Sequence, residues 1–204
     1  MQSQDSPDLD GDDTEQRNDF RVAAPPEFLL ACAVWFRTDP GRNDRISLEQ
    51  LGTPDIATRK PCDTTLRITD ISTKGMGLRL RTASHHQAAC VSAGSVYVYF
   101  KLHDPQGLSP SRHLPMFLEA RIVKAEPHDG ELAMNLHFVS IILPDPHEKS
   151  FTFFHIRQYG VTELGRWCDA INRMHMNRDA MEQTASPGLH LETLLDAIDD
   201  AQEG

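Results

Sequence analysis

No apolar run in the 204 residues approaches the roughly 18 that a membrane-spanning helix requires, so membrane insertion is not expected. No basic stretch followed by an apolar segment opens the chain, and no secretion signal is expected. The four cysteines, Cys32, Cys62, Cys90 and Cys168, form no CxxC pair and lie far apart. Free thiols in a reducing cytoplasm are the expectation. His85 and His86 lie near Cys90, but no spacing supplies the three or four convergent ligands of a metal site, and none is expected. A nucleophile beside its base is also lacking. Cys90 with His86 and Asp129 with Glu131 fall in stretches with turn-like explanations, so no enzyme is expected.

A basic surplus is absent too, the net charge being -10. Residues 1–15 hold six acids and no base, and residues 184–204 hold five and none. Without these tails, 19 acids face 20 lysines and arginines, so the body is close to neutral. A nucleic-acid polymer needs a basic face, whereas a small anion needs only a few well-placed arginines. Residues 1–16 read as a disordered acidic tail.

What the body does contain is alternation of period two. Residues 27–37 form a near-continuous apolar run, with Phe28, Leu30, Cys32, Val34 and Phe36 expected on one face. Residues 64–80 form a hairpin in which Leu66 and Ile68, then Leu78 and Leu80, alternate with polar residues. Residues 94–103, 117–126 and 131–142 alternate in the same way, with a hairpin turn at residues 127–130. Six strands with tight turns predict an antiparallel sheet closed into a small barrel, which removes exposed edges. Its interior holds only side chains, so a ligand belongs on the outer wall with Arg67, Arg79, Arg81, Arg121, Asn135 and His137.

Residues 38–63 read as a long polar insertion with one helical turn near residues 46–51. From residue 147 to 183 the apolar spacing becomes helical and includes Phe151, Phe154, Val161, Leu164, Trp167, Cys168, Ile171 and Met174, with a bend at Gly160. This stripe either covers the barrel or forms a dimer seam, leaving monomer and homodimer both open. Residues 184–204 form an acidic tail in which residues 189–201 read as a short amphipathic helix, a conceivable docking element.

The hairpin turn carries Asp70, Ser72, Lys74 and Gly75, which suit a tight turn and a binding loop equally well. Ahead of the first strand stand Arg17 and Arg21, four apart, followed by Pro25-Pro26. An Arg-x-x-x-Arg pair, then Asp-x-Ser-x-x-Gly on a hairpin, further strands and a C-terminal helix resemble the PilZ domain over residues 17–177. That resemblance implies a six-stranded barrel with a long C-terminal helix that binds cyclic di-GMP in the cytoplasm and takes part in motility or biofilm control. The implied nucleotide-binding residues are Arg17, Arg21, Asp70, Ser72 and Gly75, and Lys74, Arg67, Arg79, Arg121, Asn135 and His137 are candidate additional contacts. Arginine can fork onto phosphate or onto guanine O6 and N7, and a carboxylate can accept from the guanine Watson–Crick edge. The arm from about residue 15 to 26 is expected to move freely and to be clamped by ligand, with output through a protein partner. The alternative is an adaptor of the same fold that binds protein and no nucleotide. Two departures from the family pattern stand out. The long insertion makes Arg37, Arg42 and Arg45 rivals for the phosphate, and a single basic residue starts the Arg motif where many relatives have two.

Overall fold

The computed structural model describes residues 20–37, 44–58, 65–81, 90, 92–105, 113–128 and 130–184. The acidic tail, Arg17, Arg42, Cys62, His85, His86, Asp129 and the amphipathic segment 189–201 lie outside the described residues.

The fold is mainly β, and all strand pairings are antiparallel. The elements are β1 (Val22–Ala23), a 3-10 turn (Pro26–Phe28), β2 (Leu29–Arg37), β3 (Arg45–Ser47), α1 (Leu48–Leu51) and β4 (Ile56–Thr58). Then follow β5 (Leu66–Ile71), β6 (Gly75–Leu80), β7 (Ser95–His103), β8 (His113–His128), β9 (Glu131–Asp145), β10 (Ser150–His155) and α2 (Thr162–Thr184). The main path of the sheet runs β1-β5-β6-β9-β8-β7-β2-β4, and β10 branches from β9 to carry β3.

Alternation explains the inner face. Cys32, Val34, Ile68, Leu78, Val96, Val98, Phe100, Leu118, Leu132, Met134 and Leu136 all point into one core. Three bulges, besides one in β5, reset that alternation. Leu30 is the extra residue between Leu29 and Ala31, so the inward face of β2 is Leu29, Cys32, Val34 and Phe36 rather than a strict period of two. Val123 is extra in β8 and stands exposed. Val139 is extra in β9, which is why Ile141 joins the inner core while Ile142 points outward.

Three expectations are corrected. The closed six-stranded barrel does not form: ten strands make one open sheet whose terminal strands, β1 and β4, are not paired to each other. The extra strands come from residues whose sequence shows little apolar alternation and which gain their structure by pairing with a long neighbour. The polar insertion 38–63 supplies β3, α1 and β4, with Ser47 closing a capping box at α1 through Gln50. The helix expected from residue 147 begins only at Thr162, because residues 150–155 pair with β9 as β10. Phe-Thr-Phe-Phe favours a strand, and spacings of three and four cannot distinguish a helix from a partly buried strand over so short a run.

The outer wall is therefore covered at one end. Ile46 and Leu51 from the insertion and Phe151 and Phe153 from β10 pack over Trp35, Tyr97, Phe117 and Ile142 as a second, smaller core. Phe117 lies at its centre, 5.5 Å from Trp35 and 5.4 Å from Phe151 between ring centroids. Arg45 and Glu148 form an ion pair beside it.

The helix α2 closes the inner core. Leu164, Trp167, Cys168 and Ile171, together with Val161 just before the helix, are buried there, and each such side chain contributes about 1.5–3 kcal/mol of burial. Trp167 Nε1 donates to the His103 carbonyl at 2.9 Å, fixing the helix against the end of β7. Among the described residues no helix is long and apolar enough to cross a membrane.

Candidate functional site

The hairpin of β5 and β6 is shaped by a bulge that its sequence signals. Ile68 pairs with Leu78 and Asp70 with Gly77, so Thr69 is the extra residue. Two successive polar residues, Thr69 and Asp70, then stand on the outer face between the inward Ile68 and Ile71. Thr69 Oγ1 donates to Asp70 Oδ2 at 2.9 Å, and the Thr69 carbonyl accepts from Ala24 N at 3.2 Å. The bulge thus orients the carboxylate and anchors the arm.

Gly77 completes this arrangement. A Cβ there would overlap Asp70 Oδ2 and Thr69 Oγ1, so the carboxylate lies in space that any other residue would fill. Gly77 and Thr69 are not among the site residues expected from the sequence. A glycine between Met76 and Leu78 in mid-strand, opposite a broken alternation, is the signal that points to both.

Arg21 reaches the site through strand pairing. Val22 pairs with Ile71 and Ala23 with Asp70, which brings Arg21 Nη1 to 2.7 Å from Asp70 Oδ1. The side chains are 44% and 31% exposed, so the pair is accessible and worth only about 0–1 kcal/mol. The sequence leaves the arm unpaired as far as Pro26, whereas in the structure it joins the sheet from Val22 onward, because Val22 is buried in the core and its strand neighbours supply the backbone partners. Arg17 lies outside the described residues.

Ser72 and Gly75 have other tasks. Ser72 is 1% exposed. Its Oγ donates to the Gly75 carbonyl at 3.2 Å and accepts from the amides of Lys74 at 3.3 Å and Gly75 at 3.1 Å, which closes the turn. A Cβ at Gly75 would overlap the Leu136 carbonyl oxygen, so this glycine permits β6 to approach β9. The turn is also held from outside. Phe138 N donates to the Lys74 carbonyl at 2.7 Å and Val161 N to the Thr73 carbonyl at 2.8 Å. Gly160, at φ +74°, lies against the same Thr73 carbonyl and ends the approach to α2 rather than bending it.

The candidate additional contacts fall into two groups. Gly77 neighbours Asn135, and Gly75 neighbours His137, which is followed across the sheet by Arg121; these three side chains are exposed on the outer face. Arg79 is half-buried with no ion pair among the described residues, whereas Arg67 and Arg81 both reach Glu131, at 3.0 Å and 3.6 Å. Of the rival arginines, Arg37 stacks on Tyr97 at 5.2 Å and Arg45 is tied to Glu148, both within the second-core region.

The Cys90 thiol is buried, and burial followed by the nearby Asp55 charge pushes its pKa above the ordinary 9.0. Comparison with protein-family models, curated proteins and solved structures finds no match.

Proposed function

We propose that this chain is a cytoplasmic receptor for cyclic di-GMP that acts without catalysis, through a protein partner. The observation that carries the reading is the meeting of Arg21 and Asp70, 49 residues apart in sequence, as an exposed guanidinium beside a half-buried carboxylate. Asp70 accepts the guanine N–H donors, and Arg21 turns to phosphate or to the guanine O6 and N7 edge. Exchanging a surface ion pair for ligand contacts costs little. Asn135, His137 and Arg79 flank the site on the same face. Ser72 and Gly75 act indirectly, by holding the turn that presents Asp70, and Arg17 adds its guanidinium from the arm preceding Val22. Because the arm is already paired from Val22, any ordering on binding is confined to the residues before it, and those residues carry the signal to the partner.

The adaptor reading keeps one observation in its favour: the positions of Ser72 and Gly75 are fully explained by the turn and by strand approach. Calorimetric titration with cyclic di-GMP decides between the two. Saturable binding that is lost in Arg21→Ala and in Asp70→Ala, with unchanged thermal unfolding, is expected. A flat titration on folded wild-type protein refutes the receptor and leaves the adaptor.

A further inference from the structure

Five residues line up across the outer wall, one per strand. Arg37 of β2 pairs with Ser95 of β7, Ser95 with Arg121 of β8, Arg121 with His137 of β9, and His137 with Gly75 of β6. The inward neighbours Phe36, Val96, Ala120 and Leu136 belong to the core, so all five positions face outward. Adjacent strands lie about 4.8 Å apart, which puts Arg37 and Arg121 roughly 10 Å apart at the backbone with Ser95 midway.

The chemistry of this row is that of an anion site. It contains no acid, and neither Arg121 nor His137 has an ion-pair partner among the described residues. Two carboxylates border the row: Glu119 on the next row, which accepts from the Ser140 hydroxyl at 2.8 Å, and Asp55, which accepts from Phe36 N at 2.7 Å. Ser95 is 5% exposed, yet its Oγ has no hydrogen-bond partner. A buried hydroxyl without a partner is unfavourable, and one placed in register between two arginines can be completed by a ligand oxygen that accepts from all three. Arg37, stacked on Tyr97, is pre-oriented along the edge of the second core.

We infer that this row is a second anion site, specific for a dianionic phosphate group held by Arg37, Ser95 and Arg121, with His137 at its edge. Its centre, Ser95, lies three strand spacings, roughly 14 Å, from Gly75, while His137, at its edge, also borders the hairpin; Arg37, Ser95 and Arg121 hold the phosphate whether or not the hairpin is a nucleotide site. The phosphate is either free or the terminal group of a small phosphorylated metabolite.

The test is phosphorus NMR and calorimetry on the full chain at low ionic strength, with inorganic phosphate, pyrophosphate and a nucleoside 5′-monophosphate as probes. Saturable binding of at least one probe is expected, weakened tenfold or more in Arg121→Gln and severalfold in Ser95→Ala, with wild-type unfolding temperature in the former. Equal affinity for all three assigns the site to the phosphate group itself, and preference for the monophosphate assigns it to a phosphorylated metabolite. Arg21→Ala, which tests the hairpin, is expected to leave phosphate binding intact. Absence of saturable binding, or binding lost in Arg21→Ala but retained in Arg121→Gln and Ser95→Ala, overturns the inference.

Discussion

Replacing Gly75 and Gly77 by alanine in turn separates the two kinds of glycine in the hairpin. At Gly75 the new methyl meets the Leu136 carbonyl oxygen, a backbone atom of a central strand. The overlap is roughly 1 Å relative to the usual carbon–oxygen approach of about 3.3–3.6 Å. Relief requires β6 and β9 to separate where Phe138 N donates to the Lys74 carbonyl and Gly75 N to Ser72 Oγ. Overpacking of this kind costs about 1–3 kcal/mol, and the rigid partner puts Gly75→Ala at about 3 kcal/mol. For a chain of this size that lowers the unfolding midpoint by about 6–12 °C. At Gly77 the obstructing atoms are Asp70 Oδ2 and Thr69 Oγ1, both at the ends of side chains that can swing away. Gly77→Ala is therefore expected to cost about 1 kcal/mol or less while displacing the carboxylate from Arg21. Thermal unfolding by circular dichroism, paired with cyclic di-GMP titration, reads both effects. The expected pattern is a large stability loss for Gly75→Ala and a binding loss with near-normal stability for Gly77→Ala. A Gly75→Ala protein that melts within a degree of wild type but no longer binds nucleotide would refute the reasoning, since Gly75 would then serve ligand approach rather than strand packing.

The thiols give a pH prediction. Burial pushes the Cys32 pKa from the ordinary 9.0 up to about 12, so the folded state keeps this proton after the unfolded chain has lost it. The contribution is fully present below pH 9 and falls as pH rises from 9 to 12, by about 1.4 kcal/mol per pH unit for this group; urea midpoints in Cys32→Ala are expected to decline less steeply over that range, and an equal decline would contradict it. Cys32, Cys90 and Cys168, all buried, are expected to resist iodoacetamide in native buffer and to react in denaturant, as counted by mass spectrometry. Phe117→Ala removes the half-buried ring that Trp35, Tyr97, Tyr99 and Phe151 surround, and is expected to cost about 3 kcal/mol, the low end for a core phenylalanine, with a Phe117–Phe151 coupling of about 0.5–1.5 kcal/mol in a double-mutant cycle. A coupling near zero would show that β10 is not seated on the outer wall as described.

The alternation of β5 to β9 was sufficient to place Val96, Val98, Phe100, Leu132, Met134 and Leu136 inside and Asn135 and His137 outside, because side-chain direction in a strand follows from period two alone. The chain by itself also located the hairpin turn and singled out Arg21 and Asp70. It could not show that they meet, since that contact depends on Val22 and Ala23 taking a place beside β5, a pairing too short to have a periodicity of its own. Nor could it assign Ser72 and Gly75, whose roles depend on the Leu136 carbonyl and on the amides of the turn. Tertiary packing alone decided that residues 150–155 extend along β9, that the insertion covers the outer wall, and that the sheet stays open. Local sequence sets which way a side chain points, whereas the partner of a strand is chosen by the burial available across the whole fold, and that choice places the arginine against the acid.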